Sequence, residues 1–126
     1  MRPETINWMK QAEMDLETAK GLIGLEKYFA VAFFSQQAAE KALKALALEK
    51  LREPMKSHNL LELAKKMKVP HEIMKCLIEL TPDFVITRYP DAANALPYEL
   101  YDLQKANQRV AYAEKVLKWV KTRIKK

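Results

Sequence analysis

An all-helical bundle is the fold class this sequence predicts, and three observations predict it. The chain holds two glycines, Gly21 and Gly24, in 126 residues, so backbone that needs positive φ is scarce. Helix formers (Ala, Leu, Glu, Lys, Met and Gln) fill the periodic segments. Apolar residues recur at steps of three and four along several long stretches. The expected architecture is an up-and-down four-helix bundle with a broken third arm and short extra helices. One domain over residues 1–126 is expected to bury roughly two thirds of the surface of the unfolded chain.

The first helix is expected over 3–23. Pro3 suits a first turn because its missing N–H and fixed φ cost nothing there. Thr5, Met9, Ala12, Leu16, Ala19 and Ile23 form a seam, while Lys10, Glu13, Glu17 and Lys20 face away. Gly21 to Lys27 reads as a fraying end and a short turn, which makes the next helix an antiparallel neighbour.

That next helix, Tyr28 to Leu51, organises the chain. It is apolar nearly all the way round, as a buried helix must be. The exception is a narrow strip of Gln37, Glu40, Lys41 and Lys44, at spacings that place all four on one face. Buried polar groups left without partners cost about 1–3 kcal/mol each, so the strip must meet solvent, a groove, a ligand or a second chain.

Pro54 stops the pattern, and Ser57 is a plausible N-cap for a helix over 58–68. Pro70 starts another short helix carrying Ile73, Met74, Leu77, Ile78 and Leu80 on its apolar side. Thr81 and Pro82 read as an N-cap and first-turn proline for one brief turn, 83–86. Residues 87–97, TRYPDAANALP, form the one long irregular segment, and such loops inside compact folds are usually functional. The last helix, 98–124, carries Leu103, Ala106, Val110, Ala113, Leu117, Val120 and Ile124 as a seam.

Charge and composition narrow the function classes. The net charge is +6. Lys and Arg match Asp and Glu 7 against 7 over residues 1–50 and again over 51–100, but outnumber them 8 to 2 over 101–126. The surplus favours the C-terminal end of the last helix dipole and also suits a polyanion or acidic partner. Cys76 is the only cysteine, which excludes an intrachain disulfide framework and multi-cysteine zinc signatures; it reads as a packed thiol. No signal peptide opens the chain, and the longest apolar run is too short for a membrane span, so a soluble, cytoplasmic protein is expected. P-loop and Rossmann fingerprints, metal-ligand clusters and a Ser/His/Asp arrangement are absent.

Four motifs resemble a known family: Ala12, Asp15, Leu16 and Ala19 in the first helix; SQQAAEKALKAL at Ser35 to Leu46; Ser57, His58, Asn59 and Leu60; and Arg88, Tyr89, Pro90 and Asp91. In this order and spacing the chain is similar to the HEPN domain, in its branch of small stand-alone prokaryotic proteins. The resemblance implies a helical bundle, commonly a homodimer, that binds nucleotide or RNA; no cofactor and no membrane are expected. It also implies a minimal nucleotidyltransferase partner in a toxin-antitoxin type of pair. Many members are metal-independent ribonucleases whose signature is an arginine and a histidine separated by four to six residues. Arg88 matches the arginine. The histidine positions hold Ala93, Asn94 and Ala95. A base that trades protons near neutral pH is what 2′-hydroxyl attack requires, and arginine supplies only charge and phosphate contact. His58 is the one candidate for a displaced base, against the alternative that it caps and packs.

The residues taken together predict a polar cleft. Gln37, Glu40, Lys41 and Lys44 of the central helix, His58 of the third arm and Arg88, Tyr89 and Asp91 of the bend are expected to converge. Lys41, Lys44 and Arg88 would contact phosphates, Tyr89 would stack on a base, and Glu40 or Asp91 would orient the cations. The competing account pairs Glu40 with Lys44 locally and Arg88 with Asp91 in a loop-fixing ion pair, leaving a non-catalytic adaptor. Trp8, Met14 or Trp119, if exposed, would offer apolar contact to a second copy.

Overall fold

The computed structural model describes residues 1–52 and 59–125. The helices among them are α1 (Pro3–Ile23), α2 (Tyr28–Leu51), α3 (Leu60–Met67), α4 (His71–Leu80), α5 (Asp83–Ile86) and α6 (Leu103–Ile124), with a 3-10 turn at Pro97–Glu99 and no strand. The all-helical expectation holds, and α3 with α4 forms the broken arm, interrupted at Val69 and Pro70.

Cross-links fix the directions of the long helices. Arg2 reaches the Leu48 carbonyl at 2.9 Å, so the start of α1 meets the end of α2. Lys20 pairs with Glu114 at 2.9 Å and Lys121 pairs with Glu13, so α6 also runs antiparallel to α1. α2 packs against α1 and α6 along its length. That three-sided enclosure is why its sequence is apolar nearly all round: Leu43 and Leu46 are fully buried, and Leu60, Leu63, Leu77 and Leu80 of the third arm complete the core. Each such side chain contributes about 1.5–3 kcal/mol when removed from water. Cys76 is packed in this core, and burial pushes its thiol pKa up.

Several boundaries differ from expectation for local reasons. The turn after α1 takes its left-handed residue at Glu26 (φ 57°), whereas Gly24 is right-handed. The expected cap Ser57 lies outside the described residues. Asn59 is the cap of α3, its side chain accepting from the Leu61 and Glu62 amides at 3.0 and 3.3 Å, which starts the helix at Leu60 rather than at 58. Thr81 does not cap α5. Its hydroxyl donates to the Leu77 carbonyl at 2.7 Å and so closes α4. The last helix begins at Leu103 rather than at 98, because Asp102 accepts from the Lys105 amide at 2.8 Å and forms the N-cap. Asp15 is buried on the α1 seam, where an apolar set was expected.

Candidate functional site

The strip on α2 is formed as its spacing dictates, but half of it is inside the protein. Glu40 and Lys44 are buried and pair at 3.1 Å along the helix. Gln36 donates to Glu40 at 3.2 Å, and Lys44 Nζ sits 5.5 Å from the centre of the Trp8 ring. Gln37 and Lys41 are half-buried. Lys41 Nζ lies 2.5 Å from Asp15 Oδ2 and 3.3 Å from Gln37 Oε1, and Gln11 donates to the other oxygen of Asp15 at 2.9 Å. α1 therefore satisfies the strip along much of its length.

The bend meets α2 nearer its N-terminal end. Arg88 follows α5, its backbone N–H bonded to the Val85 carbonyl at 3.1 Å. Its guanidinium carbon lies 4.7 Å from the Phe84 ring centre, 5.8 Å from Tyr89 and 6.0 Å from Phe33. Phe33 precedes Gln37 by one helical turn on α2, so Arg88 lies against the turn that leads into the polar strip. Three ring faces hold this cation, each attracting it electrostatically. Arg88 makes no ion pair among the described residues and is exposed, as are Tyr89 and Asp91. The expected pair of Arg88 with Asp91 is not formed. Neither Glu40 nor Asp91 orients Arg88.

Of the eight expected site residues, Arg88 and Tyr89 are neighbours on the bend, Gln37 and Lys41 bond to each other with Lys41 held by Asp15 of α1, Glu40 and Lys44 form a buried pair further along α2, and Asp91 is exposed. His58 lies outside the described residues. Asn94, at a position where the family signature carries its histidine, occupies a left-handed turn (φ 53°), is exposed, and has no side-chain group that titrates near neutral pH.

One cluster was not expected from the sequence. Asp83, at the first residue of α5, is 1% exposed. Its carboxylate accepts from the Tyr101 hydroxyl at 2.6 Å and from Arg109 Nε at 2.6 Å. Burial raises the pKa of Asp83 above its ordinary value, against the Tyr101 hydrogen bond and the Arg109 charge, which lower it. Burial, followed by the Asp83 hydrogen bond and charge, also drives the Tyr101 phenol up. The three side chains line a cleft of about 280 Å³ with Lys105. A larger cleft, about 600 Å³, lies between α1 and α6 and is lined by Leu16, Lys20, Glu114 and Lys118. None of its lining residues belongs to the bend and it is crossed by the Lys20 to Glu114 ion pair, so its size does not mark it as the site. Among the described residues, no group of His, Cys, Asp and Glu is placed to hold a metal ion, and no helix is long and apolar enough to cross a membrane.

Comparisons with known proteins match the chain and its fold to a family. The chain is similar to a protein of known structure from Thermus thermophilus, with 31% identity, a TM-score of 0.90, and coverage of 97% of this chain and 99% of that one. It is similar to an archaeal HEPN homologue with 34% identity and a TM-score of 0.85, covering 98% and 99% of the two chains. It is also similar to a HEPN domain protein from Thermotoga maritima with 28% identity and a TM-score of 0.71, covering 92% and 95%. No curated protein matches the sequence. The HEPN domain model matches residues 6–123, and the chain belongs to the HEPN domain family.

Proposed function

We propose that this HEPN protein binds nucleotide or single-stranded RNA at the bend, with Arg88 contacting phosphate and Tyr89 stacking on a base. The observation that supports this most is the state of Arg88: exposed, flanked by Phe33, Phe84 and Tyr89, and without a carboxylate partner among the described residues. A guanidinium held by rings keeps its N–H groups available for the bidentate contact that phosphate favours. Aromatic faces beside it suit a base, and base stacking is tolerant of sequence. Gln37 and the half-buried Lys41 extend the polar surface. Glu40 and Lys44 serve as internal support and do not touch the ligand.

The protein acts as a binding subunit, with a second copy of the chain and a minimal nucleotidyltransferase as partners in a toxin-antitoxin type of pair, in the cytoplasm. Family membership supports the pairing. The exposed Val85, Tyr89, Leu96 and Tyr98 around the bend supply apolar surface for protein contact. A solution mass of twice the 14.6 kDa chain is expected.

The test is equilibrium binding of a fluorescent single-stranded RNA to wild type and to Arg88→Ala. A charge-assisted phosphate contact worth about 1.5–3 kcal/mol predicts a loss of roughly tenfold or more with an unchanged helical spectrum. Equal affinities would refute the assignment. RNA recovered intact from wild type is expected of a binding subunit, whereas cleavage that stops in Arg88→Ala would favour a ribonuclease with a displaced base.

A further inference from the structure

The turn that presents Arg88 is too short to hold itself. α5 has four residues, far below the length at which a helix persists without outside support. It packs against α2 and α4, and its one buried side chain anchors it to α6 and Tyr101. The two carboxylate oxygens of Asp83 accept separately, one from the Tyr101 hydroxyl and one from Arg109 Nε of α6, each at 2.6 Å. The backbone of the same residue ties the other end of the turn: its carbonyl accepts from the Thr87 hydroxyl at 2.6 Å and from the Thr87 amide at 3.2 Å. Arg88 is the next residue. Phe84, which supplies the ring nearest to the Arg88 guanidinium, is the residue after Asp83.

Resting on the reading of Arg88 as the phosphate contact, we propose that Asp83 is a positioning residue for anion binding: bolted to Tyr101 and Arg109, it fixes the turn from which Arg88 reaches its ligand. A surface loop is not anchored this way by necessity. A buried carboxylate is costly unless both oxygens are paired, and the side chains that pair it come from 18 and 26 residues away. The same turn could be packed by an apolar residue at lower cost. What the carboxylate adds is direction, since two charge-assisted or short hydrogen bonds fix an orientation that apolar contact does not.

The experiment measures oligouridylate affinity for wild type, Asp83→Asn, Tyr101→Phe, Arg88→Ala and the Asp83→Asn/Arg88→Ala double variant. Asn is isosteric but offers only one acceptor oxygen to the two donors. Asp83→Asn and Tyr101→Phe are each expected to weaken binding by roughly three- to tenfold, and the double variant to bind no worse than Arg88→Ala. pH supplies a second readout. The groups facing the Asp83 carboxylate are Tyr101, Lys105 and Arg109, with Glu79 of α4 in the same cleft. As pH falls and Asp83 takes up a proton, the ratio of wild-type to Asp83→Asn affinity is expected to approach one; uridine itself takes up no proton there. If Arg88→Ala weakens binding but Asp83→Asn and Tyr101→Phe do not, the positioning role is overturned while the Arg88 assignment stands. A double variant weaker than Arg88→Ala by the full Asp83→Asn factor also overturns it, as does a pH-independent ratio. Arg88→Ala without effect removes both readings together. Should Asp83→Asn fail to fold, Tyr101→Phe, which deletes one hydroxyl, carries the same comparison alone and in combination with Arg88→Ala.

Discussion

Lys41 of α2 and Asp15 of α1 meet at 2.5 Å, with the Asp15 side chain 6% and the Lys41 side chain 21% exposed. This pair ties part of the polar strip of α2 to α1. Removing one partner leaves a charge with poor access to water. Asp15→Ala is therefore expected to lower the unfolding free energy by about 1–3 kcal/mol, and the Asp15→Ala/Lys41→Met double variant to lose less than the sum of the two single variants. Urea unfolding of the four proteins checks it, and strict additivity would show that the contact is not coupled.

Asn59 accepts two backbone N–H groups at the start of α3. Its replacement by Ala removes a cap and is expected to cost about 1 kcal/mol of stability. α3 is eight residues long and its last turn carries Lys65 and Lys66, so the cap is a large share of its local support. Hydrogen exchange at Leu61 and Glu62 is expected to speed up more than exchange in α2; uniform acceleration across both helices would contradict a local role.

Asp83 also gives stability a pH dependence with a defined sign. Its folded pKa is raised, chiefly by burial. The folded protein therefore holds this proton more tightly than the unfolded chain does. The contribution is fully present below the unfolded pKa and is lost as pH rises through the folded one. Wild type is thus expected to gain stability relative to Asp83→Asn on acidification through the carboxylate range, read as denaturant midpoints at matched pH. A difference that shrinks on acidification would mean that pairing with Tyr101 and Arg109 outweighs burial.

Much of the fold was legible because it is local. Pro3 and the three-and-four seam place α1, and the near-continuous apolar surface of Tyr28 to Leu51 identifies the central helix. Caps were less legible, since Asn59 and Asp102 each compete with a neighbour that reads equally well as a start. For the site, the α2 spacing located one polar strip correctly, yet it carries no information about which partner helix covers it. Asp15 was visible in the sequence as a motif residue beside an apolar seam, but nothing there pairs it with Lys41. The cluster of Asp83, Tyr101 and Arg109 spans 18 and 26 residues across a bend and a 3-10 turn, and no periodicity links them. Arg88 was found by its motif, whereas its aromatic surroundings depend on α5 folding back onto α2.

Photochemical cross-linking of RNA carrying 4-thiouridine, followed by peptide mapping, tests the binding site most directly. A contact at the bend predicts that the principal adduct falls on the segment 84–89, at Phe84 or Tyr89, and that it is lost in Arg88→Ala. Adducts confined to the lysine-rich end of α6, unchanged by Arg88→Ala, would contradict it.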